Sequence, residues 1–186
     1  MPAVMEIMPL AARQQLTANN ITSMGDAWIS TTGTKFRGYQ LAPDTLAVST
    51  DTAITIGAVV SKHPASTPYM ITDTNLNDAL ELKIEKVLIF SKILRINETT
   101  RDTFGRPVLT ETVVATAIPI ISKQPLAPST ANQPDQLAVV GDANLISNMD
   151  FKILAKDMLQ LSSGDTYRVE RVTTVNNLQQ LYVTLI

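Results

Sequence analysis

Threonine is the residue that most restricts this chain: it occurs 23 times in 186 positions. Its branched side chain is stiff at χ1 and sits more readily on a pleated surface than on a helix. With the many Val and Ile residues it biases the chain toward strands. Few windows keep a helical period. One is Pro9–Leu16, where Pro9 suits a first helical position, Ala11-Ala12-Arg13-Gln14-Gln15-Leu16 follows, and Asn19-Asn20 then punctuates the run. The pattern predicts a mainly β chain, a small β-barrel or sandwich with one or two short helices.

Turn residues divide the strand-forming stretches. Between Trp28 and Val60, Gly33 and Gly38 flank Thr34-Lys35-Phe36-Arg37 as a hairpin-like unit, and Ala53–Val60 is strongly β-forming with Gly57 as a bulge position. Asp73–Ile96 reads two ways. Leu76, Leu80, Ile84 and Val87 fit one helical face, yet Leu80-Glu81-Leu82-Lys83-Ile84-Glu85 alternates strictly. The second half is therefore assigned to strand, with helix allowed in the first turn or two. Arg101–Pro107 is a turn, because Gly105 accepts positive φ and Pro107 cannot extend a central ladder. Val108–Ile120 resumes as a strand whose end Pro119 places at an edge. Phe151–Lys156 reads as strand, Ser162-Ser163-Gly164-Asp165 as a tight turn, and Asn176-Asn177 as the turn before a final alternating strand. A strand at that position needs a sheet to hold it, so the C terminus is expected to be docked. Gln124–Gln136, with Pro125, Pro128 and Pro134 among Ser, Thr, Asn and Gln, is too long for a hairpin turn and reads as an exposed loop.

Composition removes several function classes. Fifteen Lys and Arg against seventeen Asp and Glu give a net charge of −2, which excludes a strongly basic grip on nucleic acid. Hydrophobic residues make up 45%, enough for a sizeable core. The absence of Cys excludes disulfides, thiolate metal sites and cysteine nucleophiles, and a single histidine, His63, excludes any site built on two imidazoles. No run approaches the roughly 18 apolar residues of a membrane helix, and Met1–Leu16 lacks the basic leader of a signal peptide. A soluble protein made in a reducing or redox-indifferent place is expected, with no cofactor.

Individual chemical candidates are weak. His63 lies in the loop Ser61-Lys62-His63-Pro64, with no Gly-x-Ser-x-Gly elbow to serve. Asp73, Asp78, Glu81 and Glu85 would share a face on a helix, but Lys83 and Lys86 lie among them as on a salt-bridged surface. Gly33-Thr34-Lys35 fails the phosphate-loop pattern. Met1, Met5 and Met8 read as a core-facing stripe, and Trp28 as core.

Two segments carry a likeness. Ile93-Leu94-Arg95-Ile96-Asn97-Glu98-Thr99-Thr100-Arg101-Asp102-Thr103-Phe104-Gly105-Arg106-Pro107-Val108 resembles the opening of tailed-bacteriophage head-closure proteins, the stoppers or head–tail connectors. In those proteins a strand ending in Leu-Arg is followed by a threonine-rich stretch and an aromatic-Gly-x-Pro-Val turn. Ser163-Gly164-Asp165-Thr166-Tyr167-Arg168-Val169-Glu170-Arg171-Val172 is similar to their late Asp-Gly-x-x-Tyr-x-Val hairpin, with the Gly and Asp in reverse order. The likeness covers the C-terminal half only, and so implies two regions: residues 1–88, mostly β with the short helix and a candidate for an added domain, and residues 89–186, a head-closure-like barrel with a Pro-rich loop at 124–136. It implies a β-barrel subunit of a homo-oligomeric ring in the virion, at the head–tail junction, made in the host cytoplasm. Its partners would be the portal-side adaptor and tail proteins, with passive contact to packaged DNA, no membrane and no enzymatic turnover. A tail or baseplate subunit with a related barrel is the alternative, and a small β-barrel hydrolase using His63 or the acids near Asp78 a third. Partner-binding positions under this reading are Pro125, Leu126, Pro128, Gln133 and Pro134 of the loop, with Phe104 and Arg106 of the turn.

Overall fold

The computed structural model describes residues 9–64, 67–87, 89–123, 142–161 and 164–186. One helix, α1 (Leu10–Met24), precedes twelve strands: β1 (Asp26–Ser30), β2 (Lys35–Ala42), β3 (Thr45–Val48), β4 (Val59–Lys62), β5 (Pro68–Leu76), β6 (Leu80–Lys86), β7 (Ile89–Arg101), β8 (Pro107–Ser122), β9 (Asp142–Asn148), β10 (Met158–Leu161), β11 (Thr166–Val175) and β12 (Leu178–Leu185). The chain forms two compact units, Met1–Lys86 and Val87–Ile186. Each is a closed antiparallel barrel, ordered β1-β2-β3-β6-β5-β4 and β10-β11-β12-β9-β8-β7.

In the first unit the strict alternation of β6 decides the fold. Leu82 and Ile84 point inward with Leu46, Val48, Val60, Ile71 and Trp28, while Lys83 points out. Helix in the first turns after Asp73 is thereby corrected: β5 runs through Asp73 to Leu76, and a turn at Asn77-Asp78 leads into β6. Trp28 is core, its ring edge-on to Tyr69 with centroids 6.1 Å apart.

The helix runs past Asn19-Asn20 to Met24, longer than the sequence predicts. Tertiary burial overrides local propensity here. Ala47, between the inward Leu46 and Val48, faces out of the barrel, and Ile21 covers it together with Ala79. The Gln14 side chain also donates to the Asn77 carbonyl (3.1 Å), and Arg13 pairs with Asp78 at 3.5 Å. A second correction concerns Ala53–Val60, where only Val59 and Val60 belong to a strand. Gly57, at φ 89°, donates to the Ile71 carbonyl, and Ile71 donates back to that of Ala58. Two residues thus oppose one, and the regular ladder starts only afterward.

In the second unit Ile93, Ile118, Ile120, Leu145, Leu159, Tyr167, Val169, Leu181 and Val183 fill the barrel. Tyr167 and Val169 point in and Arg168 and Glu170 out, and a register shift between Val169 and Arg171 then brings Val172 against the core. Asn176 and Asn177 have φ of 49° and 60°, the tight hairpin turn whose twist matches its flanking strands. The C terminus is docked: Ile186 N–H donates to the Thr166 carbonyl at 3.0 Å. Of the Ser162–Asp165 turn, Gly164 (φ 98°) and Asp165 are described, and Leu161 closes it by donating to Asp165.

Phe151–Lys156 is not a strand. Side chains take up part of its backbone in place of a ladder, and Lys156 N–H donates to the Val169 carbonyl at 2.7 Å. Gln179 donates to the carbonyls of Asn148 (2.7 Å) and Phe151 (2.6 Å) and accepts from Ile153 N–H, while Asp157 accepts from Leu154 N–H. Ile153 is thereby delivered into the core. Pro119 does not end β8, which continues to Ser122. It pairs with Phe90 on one flank, and β9 joins the other flank only from Ile120 onward.

The Tyr167 hydroxyl is buried without a partner among the described residues. Burial, aided by the Asp165 carboxylate, raises its pKa above the ordinary 10.0. The folded state therefore holds this proton more tightly than the unfolded chain. Its contribution to stability is intact below about pH 10 and is lost as pH rises through the folded pKa. In urea unfolding across alkaline pH, we expect Tyr167→Phe to stay within about 1 kcal/mol of the parent at neutral pH and to flatten its alkaline decline; an unchanged decline would assign the loss to other groups.

Candidate functional site

β7 and β8 outrun their barrel. β10 pairs with β7 only over Ser91–Leu94, and β9 pairs with β8 only over Ile120–Ser122, yet the β7–β8 ladder continues to Arg101↔Pro107. Arg95–Arg101 and the opposing Pro107–Thr112 thus form a two-stranded ribbon about 20 Å long at 3.3 Å per residue. Among the described residues both of its flanks are unpaired ladder edges, and an isolated two-stranded ribbon is marginal in water.

Cross-strand partners share a face, so the register sorts the side chains. One face is a self-contained polar ladder. Asn97 Nδ2 donates to Thr112 Oγ1 (3.1 Å), Thr112 Oγ1 donates to the Arg95 carbonyl (3.2 Å), and the Thr99 and Thr110 hydroxyls pair at 3.0 Å. The threonines are explained: their methyls fit the pleat and their hydroxyls bond across it. The other face carries the pairs Leu94↔Val113, Ile96↔Glu111 and Glu98↔Leu109. Ile96, Leu109 and Val113 are all exposed there, Leu109 at 62%. Burying a side chain of this kind is worth about 2 kcal/mol, which the isolated chain leaves unused.

The tip is fixed by Asp102. Its Oδ1 accepts from the N–H groups of Phe104 and Arg106, both at 2.8 Å, and its own N–H donates to the Arg106 carbonyl. Gly105 takes φ 78°, as the Phe-Gly turn requires. This holds Phe104 out at 82% exposure, with the Arg106 guanidinium 5.7 Å from its ring centroid. Both sequence-derived turn positions therefore stand at the end of the ribbon. Pro125, Leu126, Pro128, Gln133 and Pro134 lie outside the described residues, as do Met1, Met5 and Met8.

The base is clamped by a pair that sequence reading misses. Arg95 meets Asp157 in a bidentate contact, Nε to Oδ1 and Nη2 to Oδ2, both 2.7 Å, and Nη2 also donates to the Lys152 carbonyl. Asp157 is 2% exposed and Arg95 is raised above its usual pKa, chiefly by this hydrogen bond. Residues separated by 62 positions offer no periodic signal. Ile96, Leu109 and Val113 had one: they alternate with polar residues in a stretch whose core-facing role fails because no second layer among the described residues covers it.

The other candidates stay apart. His63 is exposed beside a cleft in the first unit with Ala27, Ile29, Lys35 and Arg37. Asp73 and Glu81 line a shallow depression with Lys83, while Asp78 is paired with Arg13 and Lys83 with Asp44. Among the described residues no three His, Cys, Asp or Glu side chains gather as metal ligands, and no helix is long and apolar enough to cross a membrane. Comparison with known proteins returns nothing: no protein-family model, curated protein or solved structure matches the chain.

Removing Arg95 leaves the buried Asp157 carboxylate without its cation. We expect Arg95→Met to lower unfolding stability by about 3 kcal/mol and to raise protease sensitivity near Asn97–Val114 before the barrel unfolds. A loss under about 0.5 kcal/mol, the size of an ordinary surface effect, would show that the clamp contributes little.

Proposed function

We propose that this chain is a structural subunit of a tailed-phage neck, not an enzyme, forming a homo-oligomeric ring that joins head to tail and helps retain packaged DNA. The observation that carries the reading is the β7–β8 ribbon. Among the described residues it has two free ladder edges, an uncovered apolar face and an aromatic tip, and a part-buried ion pair holds its root. Strand edges and apolar side chains presented together are what strand addition or face packing onto another protein uses.

The sequence likeness to head-closure proteins falls on the same parts. Its first segment is β7, the tip and the start of β8, and its second is the turn into β11. The charge suits a conduit: a net −2 gives no general attraction to phosphates, so DNA would pass without being gripped.

Immunogold labelling of intact particles from the source, with an antibody raised against the purified chain, tests the placement. Label at the head–tail junction is expected. Label along the tail or on the baseplate would move the subunit there, and no label, with an antibody that recognises the denatured chain, would remove the virion role. In parallel, Phe104→Ser combined with Leu109→Ser should leave the unfolding midpoint within ordinary surface-substitution range while abolishing incorporation into particles.

A further inference from the structure

The first unit carries a surface that complements the ribbon. Alternation with the buried Trp28 turns Ala27 and Ile29 outward on β1, and the register Ala27↔Arg37 and Ile29↔Lys35 sets the two cations of β2 beside them. These residues, with His63 just after β4, line a cleft of about 480 Å³. Lys35 has no ion pair among the described residues, Arg37 donates to the Gly25 carbonyl, and the neighbouring Asp26 carboxylate is already paired with Lys62 at 2.6 Å. The cleft is therefore apolar at its floor and positive at its rim.

The outer ribbon face has the opposite character. Ile96, Leu109 and Val113 supply apolar side chains, and Glu111 stands among them with no ion pair among the described residues, while Glu98 is shared with Arg101. We propose that the ribbon of one copy docks in the β1–β2 cleft of a second copy, with Ile96 and Leu109 against Ala27 and Ile29, and Glu111 toward Lys35. This rests on the homo-oligomer reading above and names its lateral contact.

Charge selects the pairing. Two ribbons packed face to face would set Glu111 against Glu111, and two clefts would set Lys35 and Arg37 against their own copies, both repulsive. Ribbon to cleft joins unlike surfaces. Such a contact is heterologous, the class of interface from which cyclic rings are built when the rotation between copies closes.

The absence of cysteine makes the test clean. One preparation carries Leu109→Cys and the other Ile29→Cys, and the two are mixed and oxidised. A covalent dimer is expected from the mixture well above the level either variant gives alone. Charge reversal provides the second arm: Glu111→Lys and Lys35→Glu should each weaken self-association roughly tenfold or more, and combining them in one chain should restore it. Unfolding midpoints of all variants serve as the folding control. If the chain assembles but the mixed cross-link is absent and the double reversal fails to rescue, the docking is overturned while the ring reading stands. A chain that remains monomeric at high concentration, with no cross-link, overturns the docking and the self-assembled ring together. Neck labelling would then leave the subunit bound to other partners only.

Discussion

Closure of the hydrogen-bond ladder is the constraint on which everything else depends. A strand with partners on both sides has no edge to offer, and each unit reaches that condition by one return pairing, β4 to β1 in the first and β10 to β7 in the second. These closing ladders are short: three residue pairs in one and four in the other. Their brevity is offset by the cores they enclose. Ser30, Trp28 and Val60 are buried along the first, and Ile93, Leu159 and Leu161 along the second.

The ribbon is the exception to closure, and its position follows from the same arithmetic. β8 has sixteen residues and β7 thirteen, while the strands beside them, β9 and β10, have seven and four. The surplus has nowhere to go but outward. Register shifts after Ser91, Ile93 and Glu98 bend it away from the barrel path. The Arg95–Asp157 pair then fixes its root to the loop that also carries Ile153 into the core. Packing inside the barrel and direction of the ribbon outside it are thus coupled through one carboxylate, which accepts from both the guanidinium and the Leu154 amide.

Much of this was legible in the residues. The alternation of Leu80–Glu85, the Asn176-Asn177 turn and the Gly105 turn each express a local rule that the fold obeys. The failures share a cause. Asn19-Asn20 did not stop the helix because Ile21 is buried against Ala47. Ala53–Val60 did not pair throughout because Gly57 diverts the chain. Phe151–Lys156 did not extend because Gln179, distant in sequence, and Asp157, just past the segment, take up its amides and a carbonyl. In every case a contact made elsewhere overrode a sound local preference. At the candidate site the turn that carries Phe104 and Arg106 was legible from Gly105 and Pro107, whereas the choice of those two residues came from the likeness to head-closure proteins. The apolar face was not legible, since its pattern is identical to that of a buried strand until the missing second layer is known.

The division at Lys86 has a temporal meaning. Every strand of the first barrel ends by that residue, so its ladder closes without a strand from the second unit. During synthesis its cleft is complete while β7 is still emerging. The ribbon, by contrast, is fixed at its root only when Asp157 has been added, well after its own strands exist. A nascent chain therefore holds a finished cleft before it holds a finished ribbon. Under the docking proposed above, the order of the barrels along the polypeptide would let a growing chain accept the ribbon of a completed copy before it could offer its own.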